Sequence, residues 1–502
     1  MARSAFDFPR RVEDSKVRGR ALSHLRERGV RLPTFAELGK PDLVGKETMA
    51  ALAAVDADDA DPLNLYRVHW FNDDRRRGRQ ATPAHVELPE ALTGVRARIV
   101  VALGALFPMI RAHKVLAAYA SLVPRLISGR FDPLSQRAVW PSTGNYCRGG
   151  VAISRILGCR AAAVLPAGMS EERFLWLREW VDQPEDIVRT PGSEANVKEV
   201  FQACDELARD PANEIVDQFS EFGNYLGHWR CTGPALEKIF LSLCSASKAA
   251  RLAGFVAGSG SSGTLAAGDY LKEGHGARIA VIEAVECPTL LKNGFGEHNI
   301  QGIGDKHVPY IHNVMNTDLV VGVSDQATDT LFVLFNTEEG RNYLIERRGI
   351  DAAVAAQLGN FGLSGLCNIL AAIKTARYLD LGPDDVVLTV ATDGAELYAS
   401  EIGKVKSRRF GDRFDAVSAG ETWGRSLAAG IDHVLELSHL DRKRIFNLGY
   451  FTWVEQQGVP LEEFAARAQQ SFWDKLLDLA PAWDAMIDAF NAKTGVAATL
   501  KS

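Results

Sequence analysis

Three segments of the chain carry residue types that bind anions or react with carbonyl carbons. Lys114 lies in the apolar stretch 112–118, and the loop Ser142-Thr143-Gly144-Asn145 follows the apolar run 137–141. A second small-residue loop, 258–264, follows another apolar run. Small residues let backbone N–H groups approach an anion, and the N-terminus of a following helix adds a favourable dipole. Burial disfavours the charged form of a lysine, which makes its amine a nucleophile.

The glycine-rich loop fits two ligand classes. Gly258, Gly260 and Gly263 satisfy the G-x-G-x-x-G pattern between a strand and a helix, and Glu283 follows Gly263 by 20 residues. This spacing is typical of a dinucleotide site in which the acid binds a ribose hydroxyl. The loop also carries four hydroxyl groups, which favour a terminal phosphate monoester, at Ser259, Ser261, Ser262 and Thr264. A strand-to-helix turn without a ligand is the third alternative.

Short apolar runs alternate with helical segments from about residue 97. The runs 99–102, 278–282 and 386–390 are continuous rather than alternating with polar residues. Continuous apolar strands separated by helices predict a parallel sheet covered on both faces. A helix is predicted over 110–123, and Ser170 is predicted as the N-cap of another. The last segment, 438–502, is helical by its period, with aromatic core residues at Trp453, Phe464, Phe472, Trp473 and Trp483.

The order of these segments resembles the cysteine synthase and tryptophan synthase β group of enzymes that use pyridoxal 5′-phosphate. The resemblance covers roughly residues 95–405. In that group the Schiff-base lysine precedes an S/T-S-G-N loop by about thirty residues, and here Asn145 follows Lys114 by 31. Three further segments match in the same order, namely 217–225 with 232–234, the loop 258–264, and 300–304.

The resemblance implies an α/β protein with two doubly wound parallel-sheet domains, the fold type II of these enzymes, and helical N- and C-terminal extensions. Residues 96–127 and 230–437 would form the large cofactor-binding domain, and 128–229 the small substrate-binding domain. Residues 1–95 would pack on the large domain as an N-terminal extension. Residues 438–502 would form a C-terminal helical extension.

The resemblance also implies the roles of the site residues. Lys114 would form the internal aldimine and move the α-proton. Asn145 would bind the substrate carboxylate and lie near the cofactor 3′-oxygen, and Thr392 would lie beside the pyridine ring. The phosphate would be held by Gly258, Gly260, Ser261, Ser262, Gly263 and Thr264. The substrate would be bound by Ser142, Thr143, Gly144, Gln218 and Gly302. No metal is implied.

Two positions depart from the family pattern. Ala112 stands where the family usually has serine two residues before the lysine, and Gly394 stands where a serine usually meets the pyridine nitrogen. Thr392, Asp393 or water could replace that serine. A neutral alcohol there leaves the nitrogen largely unprotonated, whereas a carboxylate favours its protonated form.

Three functions therefore stay open. The first is β-elimination or β-replacement on a small L-amino acid, such as a serine or cysteine derivative, through an aminoacrylate. The second is an NAD-dependent oxidoreductase, which rests on the glycine pattern and Glu283. The third is a binding protein of the same fold that has lost catalysis, which rests on Ala112 and Gly394.

Composition restricts the partners and the compartment. With 46% hydrophobic residues, 24% charged residues and a net charge of −6, nothing favours binding to nucleic acid or an anionic membrane. No apolar run reaches the ~20 residues of a membrane span. Seven cysteines without regular spacing indicate neither a disulfide framework nor a zinc site, and a reducing cytoplasm is expected. Arg75–Arg77 are expected on a solvated loop. The resemblance implies a homodimer.

Overall fold

The computed structural model describes residues 9–195, 197–304 and 306–496. Its strands form two sheets, one of seven strands and one of four. The strands are β1 His85–Leu88, β2 Arg98–Leu103, β3 Arg137–Pro141, β4 Arg160–Pro166, β5 Ile187–Thr190, β6 Asn213–Ile215, β7 Arg251–Gly258, β8 Arg278–Ala284, β9 Leu319–Val323, β10 Asp385–Ala391 and β11 Val434–Glu436.

The larger sheet has the order β1-β2-β10-β7-β8-β9-β11, and the smaller has the order β5-β4-β3-β6. All pairs in the smaller sheet are parallel, as are the pairs from β2 to β9 in the larger one. The predicted α/β class with two parallel sheets is confirmed. The antiparallel strands β1 and β11 at the two edges of the larger sheet were not predicted.

Helices cover both sheets and build the two ends of the chain. They are α1 Ser15–Glu27, α2 Phe35–Gly39, α3 Lys46–Leu52, α4 Glu90–Thr93, α5 Lys114–Ser128, α6 Asn145–Leu157, α7 Glu171–Trp180, α8 Val197–Leu207, α9 Phe222–Gly227, α10 Gly233–Ala246, α11 Leu265–His275, α12 Thr289–Lys292, α13 Asp325–Asn336, α14 Glu338–Arg348, α15 Ala352–Gln357, α16 Leu363–Tyr378, α17 Ala399–Phe410, α18 Ala416–Arg425, α19 His439–Tyr450, α20 Leu461–Ala466, α21 Gln470–Leu477 and α22 Leu479–Thr494. No described helix has the length and apolar character needed to cross a membrane.

The strand β10 shows why the central strands lack polar alternation. All seven of its residues are buried, because α16 and neighbouring helices cover the sheet. Its one neutral polar residue, Thr389, donates from Oγ1 to the Val256 carbonyl of the adjacent strand at 2.6 Å. A buried hydroxyl that has a hydrogen-bond partner avoids most of the desolvation penalty.

The two ends of the chain are held together by side-chain bonds to backbone groups. The Asp484 carboxylate of α22 accepts from the N–H groups of Phe35 and Ala36, at 2.6 and 3.2 Å, and so caps α2. Asn491 pairs with both backbone groups of Leu32, at 3.0 and 2.7 Å. In addition, Tyr119 of α5 donates to the Pro33 carbonyl at 2.5 Å, which ties these ends to the helix that begins at Lys114.

One local expectation was wrong and another was right only in part, each for a physical reason. The helix predicted from residue 110 begins only at Lys114, because Met109 and Arg111 have φ angles of 61° and 49°, which are not helical. Arg75 and Arg77 are exposed as predicted, but Arg76 between them is buried. Arg76 is 8% exposed, and its guanidinium makes two hydrogen bonds to the Asp58 carboxylate, at 2.6 and 2.5 Å.

Ser170 and the final helical segment follow their predictions more closely. Ser170 occupies the N-cap position of α7, but its hydroxyl makes no capping bond, so only the position is as predicted. Of the aromatic residues predicted in the last segment, Phe472 is partly exposed and packs against the core. The other four are buried, namely Trp453, Phe464, Trp473 and Trp483.

A glycine fixes the close approach of α6 to β3. A Cβ atom at Gly150 would lie 1.9 Å from the indole ring of Trp140, which is fully buried. We therefore expect Gly150→Ala to destabilise the protein by about 1–3 kcal/mol through overpacking. Chemical denaturation followed by tryptophan fluorescence measures the change.

Gly403 provides the control. It lies in the exposed part of α17 with no atom within 4 Å of its ideal Cβ position, so Gly403→Ala should stabilise by about 0.5–1 kcal/mol. Equal effects of the two substitutions would contradict the proposed packing.

Candidate active site

The predicted site residues meet where parallel strands of both sheets end. β3, β7 and β10 each end just before one of the predicted loops, at 142–144, 259–264 and 392–394. Loops at the carboxyl ends of parallel strands form the usual ligand crevice of such sheets. Two adjoining cavities lie there, of about 380 and 330 Å³, and five residues line both, namely Lys114, Gly260, Ser261, Gly302 and Thr392.

Twelve of the fourteen predicted site residues line these cavities. The first cavity adds Ser142, Thr143, Asn145 and Gln218 to the five shared residues. The second adds Gly258, Ser262 and Thr264. Gly144 and Gly263 belong to these loops but line neither cavity. A Cβ atom there would lie 2.5 Å from the Arg173 side chain and 2.1 Å from the Asn224 side chain respectively.

The Lys114 ammonium reaches both predicted binding segments. Its Nζ donates to Ser261 Oγ at 2.7 Å and to Gln218 Oε1 at 3.4 Å. The segment before it is held to the larger sheet, because the N–H of His113 donates to the Thr392 carbonyl at 3.1 Å. Lys114 therefore stands between the glycine-rich loop and the segment that follows β6.

The glycine-rich loop presents unpaired donors to the second cavity. Among the residues that the structure describes, the backbone N–H groups of 260–264 donate to no other group of the chain. Ser262 has a φ of 63°, and its buried hydroxyl has no partner there either. Successive free N–H groups next to a left-handed residue, ahead of α11, form an anion-binding concavity. The donor set therefore fits a phosphate monoester.

The glycines of this loop are required by close contacts. A Cβ atom at Gly258 would lie 2.2 Å from the Ile303 side chain, and one at Gly260 would lie 2.5 Å from the Gly302 carbonyl oxygen. The loop 258–264 therefore packs directly against the segment 300–304, which the sequence also placed at the site. Gly302 itself has a φ of 109°, a conformation that favours glycine.

The loop after β3 is held by polar contacts to both sheets. The N–H of Gly144 donates to Ser142 Oγ at 3.0 Å, and Thr143 Oγ1 donates to Glu194 Oε1 at 2.5 Å. Asn145 donates from Nδ2 to Asp393 Oδ2 at 2.5 Å and accepts from Arg148 at 3.2 Å. The amide of Asn145 thus joins α6 to the end of β10.

Asp393 is the centre of a buried charge network behind the first cavity. Its Oδ2 also accepts from the Tyr398 hydroxyl at 2.7 Å, and the Arg173 guanidinium lies 3.9 Å away. Arg173 donates to Tyr398 and to Gln301, each at 2.7 Å. Burial raises the pKa of Asp393, and Arg173, Asn145 and Tyr398 oppose that shift.

Two buried charged residues of the first cavity were missed by the sequence reasoning. Arg173 and Glu194 both line the first cavity and are 1% and 2% exposed. Burial raises the pKa of Glu194 to about 7, although Arg173, Thr143 and Lys114 favour its ionised form. Neither residue lies in a recognisable motif. Their partners at Tyr398 and Thr143 are 225 and 51 residues away along the chain, so no local signal could have found them.

Glu283 does not line either cavity. Its carboxylate accepts from the backbone N–H groups of Leu290 and Leu291, each at 2.8 Å. Glu283 is 1% exposed and is bound at the first turn of α12, away from both cavities, so it is not placed to bind the ribose hydroxyl of a ligand in them. The geometry removes the main support for the dinucleotide alternative.

The comparisons with known proteins agree with this geometry. Residues 76–393 match the family model described as pyridoxal-phosphate dependent enzyme. A probable cysteine synthase from Bacillus subtilis is 27% identical over 57% of this chain and 83% of its own length. Cysteine synthase B from Campylobacter jejuni is 30% identical over 50% of this chain and 75% of its own length.

A solved structure shows the same fold. It is an O-acetylserine dependent cystathionine β-synthase from Helicobacter pylori, 22% identical, with a TM-score of 0.51 over 64% of this chain and 95% of that one. The likeness at this identity concerns the fold alone.

The raised pKa of Glu194 makes stability depend on pH. Between its ordinary pKa near 4.5 and about 7, the folded state holds a proton that the unfolded state lacks. The stabilisation from that proton is complete at low pH and is lost as pH rises through 7. Relative to Glu194→Gln, the wild-type free energy of unfolding should fall by about 2–3 kcal/mol from pH 5 to pH 8.

Urea unfolding of both proteins at the two pH values measures this difference, and the contributions of all other groups cancel. Glu297→Gln is the control, because contacts with Lys306 and Ser193 lower the pKa of that carboxyl. A pH-independent difference between wild type and Glu194→Gln would show that Glu194 stays ionised.

Proposed function

The chain belongs to the pyridoxal-phosphate-dependent enzyme family, and we propose that it catalyses β-elimination or β-replacement on a small L-amino acid. Relatives named cysteine synthase support a serine or cysteine derivative as the substrate. The observation that carries the proposal is the position of Lys114. Its amine lies 2.7 Å from Ser261 in the phosphate-type loop and lines the same cavity as Ser142 and Thr143.

The residues of the second cavity would hold the cofactor. The free N–H groups of 260–264 and the Ser262 hydroxyl would bind its phosphate, and Lys114 would bind its aldehyde carbon covalently. When bound, the cofactor supplies an electron sink that weakens bonds at the α-carbon of the substrate. This assignment replaces the dinucleotide alternative.

Thr392 is the residue that we propose beside the pyridine ring. It lines both cavities, whereas Asp393 lines neither and its Oδ2 is occupied by Asn145 and Tyr398. Gly394 leaves no side chain there, and a Cβ atom at that position would lie 2.2 Å from the Glu396 carboxylate. A neutral hydroxyl next to the ring nitrogen leaves it largely unprotonated, which suits elimination.

The first cavity would orient the substrate. We propose that the hydroxyls of Ser142 and Thr143 and the Gln218 amide bind its carboxylate, while the Lys114 amine takes the α-proton. The nearby Arg173 guanidinium adds positive charge in a buried setting, where an ionic interaction is stronger than in water. These contacts support catalysis rather than a binding protein that has lost it, since Lys114 lies in the cavity despite Ala112 and Gly394.

We further propose a homodimer that works in the cytoplasm, in which the division into large and small domains follows the boundaries given above. All seven cysteines are free thiols, which supports a reducing compartment. Light scattering of the purified protein at several concentrations tests the assembly. A mass of one chain at every concentration would contradict the dimer.

Lys114→Ala tests the covalent attachment. The variant should lose the visible absorbance band of the bound cofactor after gel filtration, because the remaining contacts bind the phosphate without a covalent bond. Borohydride reduction of the wild-type holoenzyme followed by peptide mapping should label Lys114. Lys292→Ala, an exposed position, should keep the band. A label on another lysine, or an unchanged band in Lys114→Ala, would refute the assignment.

An amino-acid panel tests the reaction. Adding L-serine, O-acetyl-L-serine, L-cysteine or β-chloro-L-alanine to the holoenzyme should shift the visible absorbance and release pyruvate or a replacement product. The D-enantiomers should do neither, because the carboxylate contacts and Lys114 fix one face of the α-carbon. Spectra that no L-amino acid changes would contradict the proposed function.

A further inference from the structure

Glu194 is a buried carboxyl that the proposed function leaves without a role. It lies in the segment between β5 and α8, lines the first cavity and is 2% exposed. Thr143 donates to its Oε1 at 2.5 Å. Its Oε2 has no hydrogen-bond partner among the described residues. One oxygen of a fully buried carboxyl is thus available to a ligand in the cavity.

The charged groups around Glu194 keep it close to the balance between its two forms. Arg173 and Lys114 favour the carboxylate, as does the backbone of Gly302, whereas removal from water favours the neutral acid. Tyr398, another titratable group that interacts with Glu194, stays protonated because burial raises its pKa. The pKa of Glu194 near 7 follows from these opposing effects. A proton on this carboxyl can therefore be exchanged at neutral pH.

We propose that Glu194 is the acid–base residue for the group that leaves or enters at the β-carbon. The inference rests on the proposed function, because it takes the substrate carboxylate to bind at Ser142 and Thr143. Thr143 contacts Glu194 directly, so the substrate brings a second negative charge next to this carboxyl. A second carboxylate in the same site disfavours the ionised form of Glu194 and raises its pKa, so Glu194 takes up a proton when the substrate binds.

The proton then has a defined path. The α-proton passes to the Lys114 amine, and the bond between the β-carbon and the leaving group breaks with the proton of Glu194 moving to the leaving atom. Glu194 is left ionised beside Arg173. In a replacement, an incoming nucleophile gives its proton to Glu194 as its bond to the β-carbon forms, and Lys114 returns its proton to the α-carbon. In a replacement, atoms and charges balance with the nucleophile as the co-reactant. In an elimination, water is the co-reactant: it hydrolyses the released product to pyruvate and ammonia, and the proton on Lys114 returns through solvent to Glu194.

The proposal sets a substrate preference. A hydroxyl or thiol leaves poorly as an anion, so its departure depends on a proton from Glu194. Chloride leaves as a stable anion and needs none. A general acid contributes about 10²–10⁴-fold to the rate when the proton transfer is required. The enzyme should therefore accept unactivated serine and cysteine as well as activated derivatives.

Proton uptake on ligand binding tests the first step without turnover. The probe is L-alanine, which has no leaving group, added at pH 8 to weakly buffered holoenzyme containing a pH indicator. Wild type should take up about one proton more per site than Glu194→Gln, since all other proton changes are common to both. Glu297→Gln, which alters a contact to the neighbouring Ser193, should match wild type. Equal uptake by wild type and Glu194→Gln would overturn the proposal.

A leaving-group series tests the second step. Glu194→Gln should lower kcat with L-serine by about a hundredfold or more and lower kcat with β-chloro-L-alanine much less. Glu194→Asp keeps the acid and should recover part of the serine activity. Equal losses with both substrates, or an Asp variant no better than Gln, would overturn the role.

The outcomes separate this inference from the proposed function. If wild type changes neither its spectrum nor its products with β-chloro-L-alanine, the proposed function fails and Glu194 is not the cause. If wild type eliminates chloride and Glu194→Gln retains full serine activity, only the role of Glu194 fails. Should Glu194→Gln not fold, Glu194→Asp decides, because the shorter acid should lower kcat with L-serine more than kcat with β-chloro-L-alanine, and equal effects on both would overturn the role.

Discussion

The geometry of the site depends on one buried carboxylate, that of Asp393. It binds Asn145 at the start of α6 and Tyr398 after β10, and it lies 3.9 Å from Arg173 of α7. These contacts connect the end of the larger sheet to α6, which packs on the smaller sheet, and to α7, which packs on α6. Removing one partner from such a buried pair costs about 3–5 kcal/mol, because the other charge is left uncompensated. The loops after β3 and β10 are therefore held in one relative position.

The walls of the two cavities contain hydrogen-bond donors and acceptors that have no partner in the part of the chain that the structure describes. The hydroxyl of Ser262 and one oxygen of Glu194 lack partners among the described residues, as do the N–H groups of 260–264. Buried polar groups are normally paired, and leaving one unpaired costs about 1–3 kcal/mol. The pattern is one of a folded site whose polar groups are completed by a phosphate at one end and an amino acid at the other.

Short sequence patterns were sufficient to predict the features of the molecule that are built from short continuous segments. The continuous apolar strands, the lysine and the two small-residue loops are short segments. Their order along the chain carried the family resemblance, which in turn implied both sheets and the twelve cavity-lining residues. The antiparallel strands β1 and β11 were not predicted, because no sequence pattern shows which edge of the sheet such a strand joins. Asn145 and Asp393 are 248 residues apart in the sequence. No short segment of the sequence can therefore reveal the buried network to which both belong. The burial of Arg76 was missed for a similar reason, because its partner Asp58 lies 18 residues earlier in the chain.

The capping of α2 by Asp484 has a consequence for biosynthesis. The N-terminus of α2 and the neighbouring Leu32 cannot complete these backbone hydrogen bonds until α22 has been made, because their partners lie about 450 residues later. At roughly 5–20 residues per second, the ribosome needs on the order of half a minute or more to reach that helix. Until then the nascent N-terminal segment is exposed to chaperones and proteases, and α5, which carries Lys114, lacks part of its support.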